Sequence, residues 1–243
     1  MNQSYPLKPA EFAEQKIIFS ILEERFPVNT NLPPERELAV IIGVTRPTLR
    51  EALQRLARDG WIDIHQGKST RVKDFLKEGN LNVLSTLSNY QQFLPDNFVI
   101  KLLHVRLLLS PTYTFLAIQN NPKFFIDILT NHPQPDDNSN VFSEYDFNLH
   151  ILLTQYSGNP VFTLILNGFR DLIIEKSKMY FNFEETRYHS LAFYQSLLQA
   201  AIDNNPNEAM LIASKVMSES MNFYSSFSEH QRNENDTRFH ISN

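Results

Sequence analysis

The chain has 243 residues, enough for two modest domains, and its 42% hydrophobic and 20% charged side chains exclude wholesale disorder. It holds no cysteine, which removes disulfides, thiol catalysis and zinc fingers and suits a reducing cytoplasm. The net charge of −5 would speak against nucleic acid if it were spread evenly, but residues 36–73 carry 8 basic against 4 acidic side chains.

The opening Met1-Asn2-Gln3-Ser4-Tyr5-Pro6 has no signal-peptide core, and no uninterrupted apolar run approaches the roughly 18 residues needed to span a bilayer. A soluble cytoplasmic protein with no membrane partner is expected. In chain order, the pattern first predicts a helix from Pro9 to Arg25, with Phe12, Ile17, Ile18 and Ile21 at helical spacing. A second, short helix enters at Leu32-Pro33-Pro34 and stops at Gly43. Thr45 is a good N-cap for a third helix running to Asp59-Gly60, whose Leu49, Ala52, Leu53 and Leu56 share one face while Arg46 and Arg50 share another. Trp61 to Ile64 and Ser69 to Val72 then read as a β-hairpin around His65-Gln66-Gly67-Lys68.

Two short helices joined by a tight glycine turn, followed by a hairpin, form the pattern of a winged helix-turn-helix. Its recognition helix needs forked donors for guanine edges and hydroxyls for phosphate, which Arg46, Arg50, Thr45 and Thr48 supply. Residues 73–80 read as a linker, and helices are expected near 81–89, 96–119, 122–130, 141–157, 160–182, 185–204 and 206–228, with Pro111 kinking the second. The fold class is therefore mainly α. Residues 1–72 form a winged helix-turn-helix of three helices plus a wing, and residues 81–230 an all-helical bundle. A polar, fraying tail is expected at 231–243.

In the second domain Arg106 lies in a stripe of Val99, Leu102, Leu103, Leu109 and Tyr113. A charge there needs either an internal partner such as Asp146 or an anionic ligand group. Asp146 and His150, four apart, offer two metal ligands where zinc wants about three or more, so no metal is expected. With 6 glycines, no phosphate-cradling loop and no G-x-S-x-G elbow, the chain is expected not to be an enzyme.

The stretch from Leu32 to Leu38, then Gly43 to Arg46, then Leu49 to Trp61, closely resembles the signature of the GntR family of transcriptional regulators. Within the family the likeness is to the fatty-acid-responsive branch, and it resumes at Leu102 to Arg106, Ser157 to Pro160 and Leu164 to Gly168. The resemblance implies a homodimer on a palindromic operator, contacted by Arg36, Arg46 and Arg50, with a wing of His65, Gln66, Gly67 and Lys68 entering the minor groove. It implies no cofactor, and a helical domain that binds long-chain acyl-CoA and then releases the DNA. Relatives of this type repress fatty-acid degradation and activate unsaturated fatty-acid synthesis. Arg106, Tyr180, Ser214, Met217 and Tyr224 fall at positions matching the branch's ligand neighbourhood. Pro47 and Gln66 depart from the branch's own residues at the DNA site, and Ser214, Met217 and Tyr224 depart from them near the ligand; a GntR-type regulator for a different carboxylate or metal-linked metabolite is the alternative.

Overall fold

A computed structural model describes residues 7–65, 67–94 and 97–241, the side chains of 91 and 227–241 excepted. The chain divides into two compact units, residues 1–94 and 95–243.

In the first unit, α1 (Pro9–Leu22) starts on a proline and buries Ala13, Ile17, Ile18 and Ile21. It ends three residues before the expected Arg25, because Glu24 takes a left-handed φ of 59° while Phe26 N–H closes onto the Ser20 carbonyl. α2 (Glu35–Ile42) stops at Gly43, whose φ of 84° favours glycine, and α3 (Arg46–Asp59) stops at Gly60 with φ 94°. Leu38, Ala39 and Ile42 of α2 meet Leu49, Ala52, Leu53 and Leu56 of α3 over α1, in one core with Trp61 at its end.

The wing is shorter than expected. β1 (Ile62–Asp63) and β2 (Arg71–Val72) pair antiparallel, Ile62 opposite Val72 and Asp63 opposite Arg71. Ile62 and Val72 are buried at its root, while Ile64, His65, Gly67, Lys68 and Ser69 are solvent-exposed, so only the root has a core to hold the ladder.

The expected linker and the expected start of the helical domain at residue 81 both differ from the structure. Residues Phe75–Glu78 form a short helix, α4, whose Phe75 ring lies 5.0 Å from Trp61. In α5 (Leu81–Leu87), Val83 and Leu87 are buried in the first unit's core, and Phe19 of α1 meets Phe93 edge to face at 5.4 Å. Asn80 Nδ2 also donates to the Arg58 carbonyl at 3.4 Å, and Asn82 Nδ2 to Asp59 at 3.3 Å. The apolar Phe75, Val83 and Leu87 are the sequence signal for this burial, since a solvated linker has no use for them.

The second unit is a bundle of α6 (Phe98–Asn120), α7 (Pro122–Thr130), α8 (Ser139–Tyr156), α9 (Pro160–Asn167), α10 (Arg170–Tyr180), α11 (Glu184–Ile202) and α12 (Pro206–Ile241). α6 runs on through Pro111 as one helix, packed on α8 and α12. By length and composition it is the one helix among the described residues able to cross a membrane, but it carries Arg106 and contributes Tyr113, Ala117 and Ile118 to the bundle core. The single helix expected over 160–182 is two, because Phe169 leaves helical geometry (φ −111°, ψ 5°) and buries its ring. The backbone of α12 runs helical to Ile241, with no glycine or proline after Pro206 to end it; residues 242 and 243 lie outside the described residues.

Candidate nucleic-acid interface and ligand cavity

The recognition helix is held by its own first turn. Thr45 caps α3, its hydroxyl accepting from the Thr48 N–H at 3.4 Å and lying 2.9 Å from the Thr48 hydroxyl. The apolar face of α3 is buried, which turns Arg46 and Arg50 outward together, both exposed. Arg46 opens the first turn of α3, at a helix N-terminus that favours anions, and Pro47 after it adds no hydroxyl. Arg50 Nε donates to Glu35 Oε2 at 2.7 Å, a tether from α2 that the sequence did not announce. Arg36, Arg46 and Lys68 are exposed and form no ion pair among the described residues. In the wing, Gly67 has φ 73°, and the exposed His65 accepts the Lys68 N–H through its carbonyl. Gln66 lies outside the described residues.

The root of the wing is fastened by charge. Arg71 donates to Asp63 at 2.7 Å, to both Glu78 oxygens, at 3.1 and 2.6 Å, and to Asn29 at 3.1 Å. Its partners hold the Glu78 carboxyl below the ordinary carboxylate range, with Arg71 the main cause.

The second unit contains a small apolar cavity of about 70 Å³, well below the roughly 300–1,000 Å³ of pockets that hold a whole small ligand, so a long ligand must widen it on entry. Its wall combines Val99, Leu102 and Leu103 of α6 with Leu172 and Ile173 of α10, Phe193 of α11 and Val216 of α12. Of the five residues expected near a ligand, Arg106, Tyr180, Met217 and Tyr224 lie on this wall. Ser214 does not. Residues 216, 217, 220 and 224 form the cavity face of α12, and a turn of about 100° per residue carries position 214 off that face. Ser220, missed from the sequence, was legible in that spacing, since it follows Met217 by three and precedes Tyr224 by four.

Arg106 both lines the cavity and has an internal partner. Its Nη2 lies 3.8 Å from Asp146 Oδ2, with side chains 11% and 13% exposed, and its Nε has no hydrogen-bond partner among the described residues. Asp146 also accepts from the Tyr194 hydroxyl at 3.2 Å. Behind this pair His150 is wholly buried, and burial pushes its pKa down to about 4, with Asp146 opposing and Arg106 assisting. The Tyr113 hydroxyl lies 2.9 Å from Nδ1, which fixes the imidazole in place. Asp146 Oδ1 is 3.9 Å from His150 Nε2, and among the described residues no third His, Cys, Asp or Glu joins them as a metal-binding group.

A capped helix presenting two outward arginines, braced by a companion helix and a wing, and joined in sequence to an all-helical unit, defines a winged-helix transcription regulator. The comparisons with known proteins agree. Residues 9–72 match the family described as bacterial regulatory proteins, gntR family, and residues 73–234 match the FadR C-terminal domain. The chain belongs to the GntR family, and within it to the FadR-type regulators of fatty acid metabolism. A fatty acid metabolism regulator protein of Shewanella pealeana is 45% identical over 200 residues, 81% of this chain and 82% of that one. The protein of the same name from Shewanella oneidensis is 45% identical over 192 residues, 78% of this chain and 79% of that one. A solved structure reported with the words "Lar controls the expression of the Listeria monocytogenes agr system and mediates virulence" has the same fold, with a TM-score of 0.54 at 13% identity over 90% of this chain and 98% of that one.

Proposed function

We propose that this regulator works in the cytoplasm as a homodimer on a palindromic operator, and that long-chain acyl-CoA in the cavity releases it. The genes it controls are those of fatty-acid degradation, which it represses, and of unsaturated fatty-acid synthesis, which it activates. The observation that carries this reading is an apolar cavity with one nearly buried arginine on its wall, in a chain with the FadR C-terminal domain.

A methylene chain suits that wall, since each buried CH2 contributes about 0.8 kcal/mol. Arg106 Nε, without a partner among the described residues, is a donor for a ligand oxygen. Arg46 and Arg50 of α3 read the groove, while Thr45 and Thr48 at its start and Lys68 of the wing meet phosphate. DNA and acyl-CoA favour different states, so each weakens the other by the same factor at equilibrium.

The test is a two-way titration of the full chain. A duplex selected from a random library is bound with and without palmitoyl-CoA, and palmitoyl-CoA is bound with and without that duplex. Affinity is expected to fall by the same factor in both directions. Palmitoyl-CoA that leaves duplex affinity unchanged refutes the scheme, and binding of a small organic acid with zinc in its place supports the other effector class.

A further inference from the structure

Three helices meet at the cavity wall through one chain of hydrogen bonds. Tyr180 of α10 and Ser220 of α12 line the cavity, whereas His189 of α11 and Glu219 of α12 line a separate polar groove on the other side of that wall. The His189 ring joins the two. Its Nε2 is 2.8 Å from Glu219 Oε2, its Nδ1 is 3.3 Å from the Tyr180 hydroxyl, and that hydroxyl is 3.4 Å from the Ser220 hydroxyl.

The direction of each bond follows from what the groups can do. A carboxylate only accepts, so the proton of the neutral imidazole sits on Nε2 and points at Glu219. In the neutral ring Nδ1 is then a lone pair that accepts from the Tyr180 phenol. Burial pushes the Tyr180 pKa up to about 12, with the Ser220 hydroxyl pulling it back, so the phenol has its proton to give. With that proton committed, the contact between the two hydroxyls is satisfied by Ser220 donating to the phenol oxygen.

We propose that His189 is a positioning residue for the effector: the chain Glu219–His189–Tyr180–Ser220 fixes both cavity hydroxyls in one orientation, with the Tyr180 proton turned away from the ligand and its oxygen an acceptor. His189 itself is on the far side of Tyr180 and acts through it. Because Glu219 and Ser220 are neighbours on α12, the chain begins and ends on the same helix and clasps α10 and α11 to it. A ligand that donates to the Tyr180 oxygen engages the clasp without breaking it, which gives the cavity a route to α12. This rests on the reading of the cavity as the acyl-CoA site.

The experiment is a double-mutant cycle on the full chain, with palmitoyl-CoA as the probe in isothermal titration. His189→Leu is expected to weaken binding roughly 3- to 10-fold, the value of one oriented hydrogen bond. In a Tyr180→Phe background the same change should shift affinity by less than about 2-fold, since there is no phenol left to orient. His189→Asn, whose amide oxygen can take the place of Nδ1, should recover most of the loss, which a purely structural role would not give. Glu219→Ala, at a side chain 42% exposed and so tolerant of change, supplies the same cycle from the other end if His189→Leu does not fold. Equal losses in both backgrounds, or no recovery with asparagine, overturn the relay and leave the cavity reading intact. A wild-type chain that binds no palmitoyl-CoA overturns both.

Discussion

The tether between Arg50 and Glu35 makes a quantitative prediction about DNA binding. Both side chains are exposed, 61% and 38%, so the 2.7 Å pair is worth only about 0.2–1 kcal/mol in water. A groove contact by an arginine is worth about 1–3 kcal/mol. To reach DNA, Arg50 must first leave Glu35, whereas Arg46 has no ion pair among the described residues to leave. Arg50→Ala should therefore cost less than Arg46→Ala by the worth of the pair, about 1.5- to 5-fold in Kd. Glu35→Gln should tighten binding by a similar factor, and most of that gain should vanish in the Arg50→Ala background. Fluorescence anisotropy on one selected duplex and one scrambled duplex, over graded salt, measures all four corners of the cycle. A substitution that removes one phosphate neighbour should also flatten the salt slope by about 0.9, which separates backbone binding from base reading. A Glu35→Gln gain of the same size with and without Arg50 would refute the reasoning, because it would mean that Glu35 acts on the duplex directly.

Three further predictions concern stability and the cavity. Gly79→Ala should destabilise the first unit by about 1–3 kcal/mol in a denaturant titration, because the added carbon would run into the Phe75 carbonyl and stand 3.0 Å from Val83; an unchanged midpoint would show that the turn relaxes freely. His150 takes up a proton from its ordinary value of 6.5 when unfolded but only near 4 when folded, so stability should fall as pH drops between those values, by on the order of 3 kcal/mol. His150→Phe should flatten that pH dependence, and since Tyr113 then loses its partner the slope, not the absolute stability, is the test. Met217→Trp should fill the cavity and weaken palmitoyl-CoA about 5- to 150-fold, the equivalent of the roughly 1–3 kcal/mol that overpacking costs, while duplex affinity stays unchanged; a parallel loss of DNA binding would mean that the bundle has been disrupted instead.

The reading head was legible because its signals are local. Gly43 and Gly60 end their helices in left-handed geometry, Thr45 caps the next, and an apolar stripe at helical spacing fixes which way Arg46 and Arg50 point. None of that depends on distant residues. The Arg50–Glu35 tether joins residues 15 apart and the His189–Glu219 contact residues 30 apart, so no window of sequence contains either. Arg106 was half legible: a charge in an apolar stripe announces that it needs a partner, but only packing reveals that Asp146 stands 3.8 Å away and that the cavity is on the same side. The break at Phe169 was hidden for a related reason. The run from Val161 to Tyr180 holds no proline and one glycine, and it is the burial of one ring that divides it.

Val83 and Leu87 bear on how this regulator can be taken apart. A fragment cut at residue 72, where the family match to the reading head ends, would lack both side chains along with Phe75 and Phe93, and would leave apolar ground on Trp61 and Phe19 open to water. Extending the fragment to residue 94 restores those four, so the shortest autonomous reading head is some twenty residues longer than the motif that advertises it.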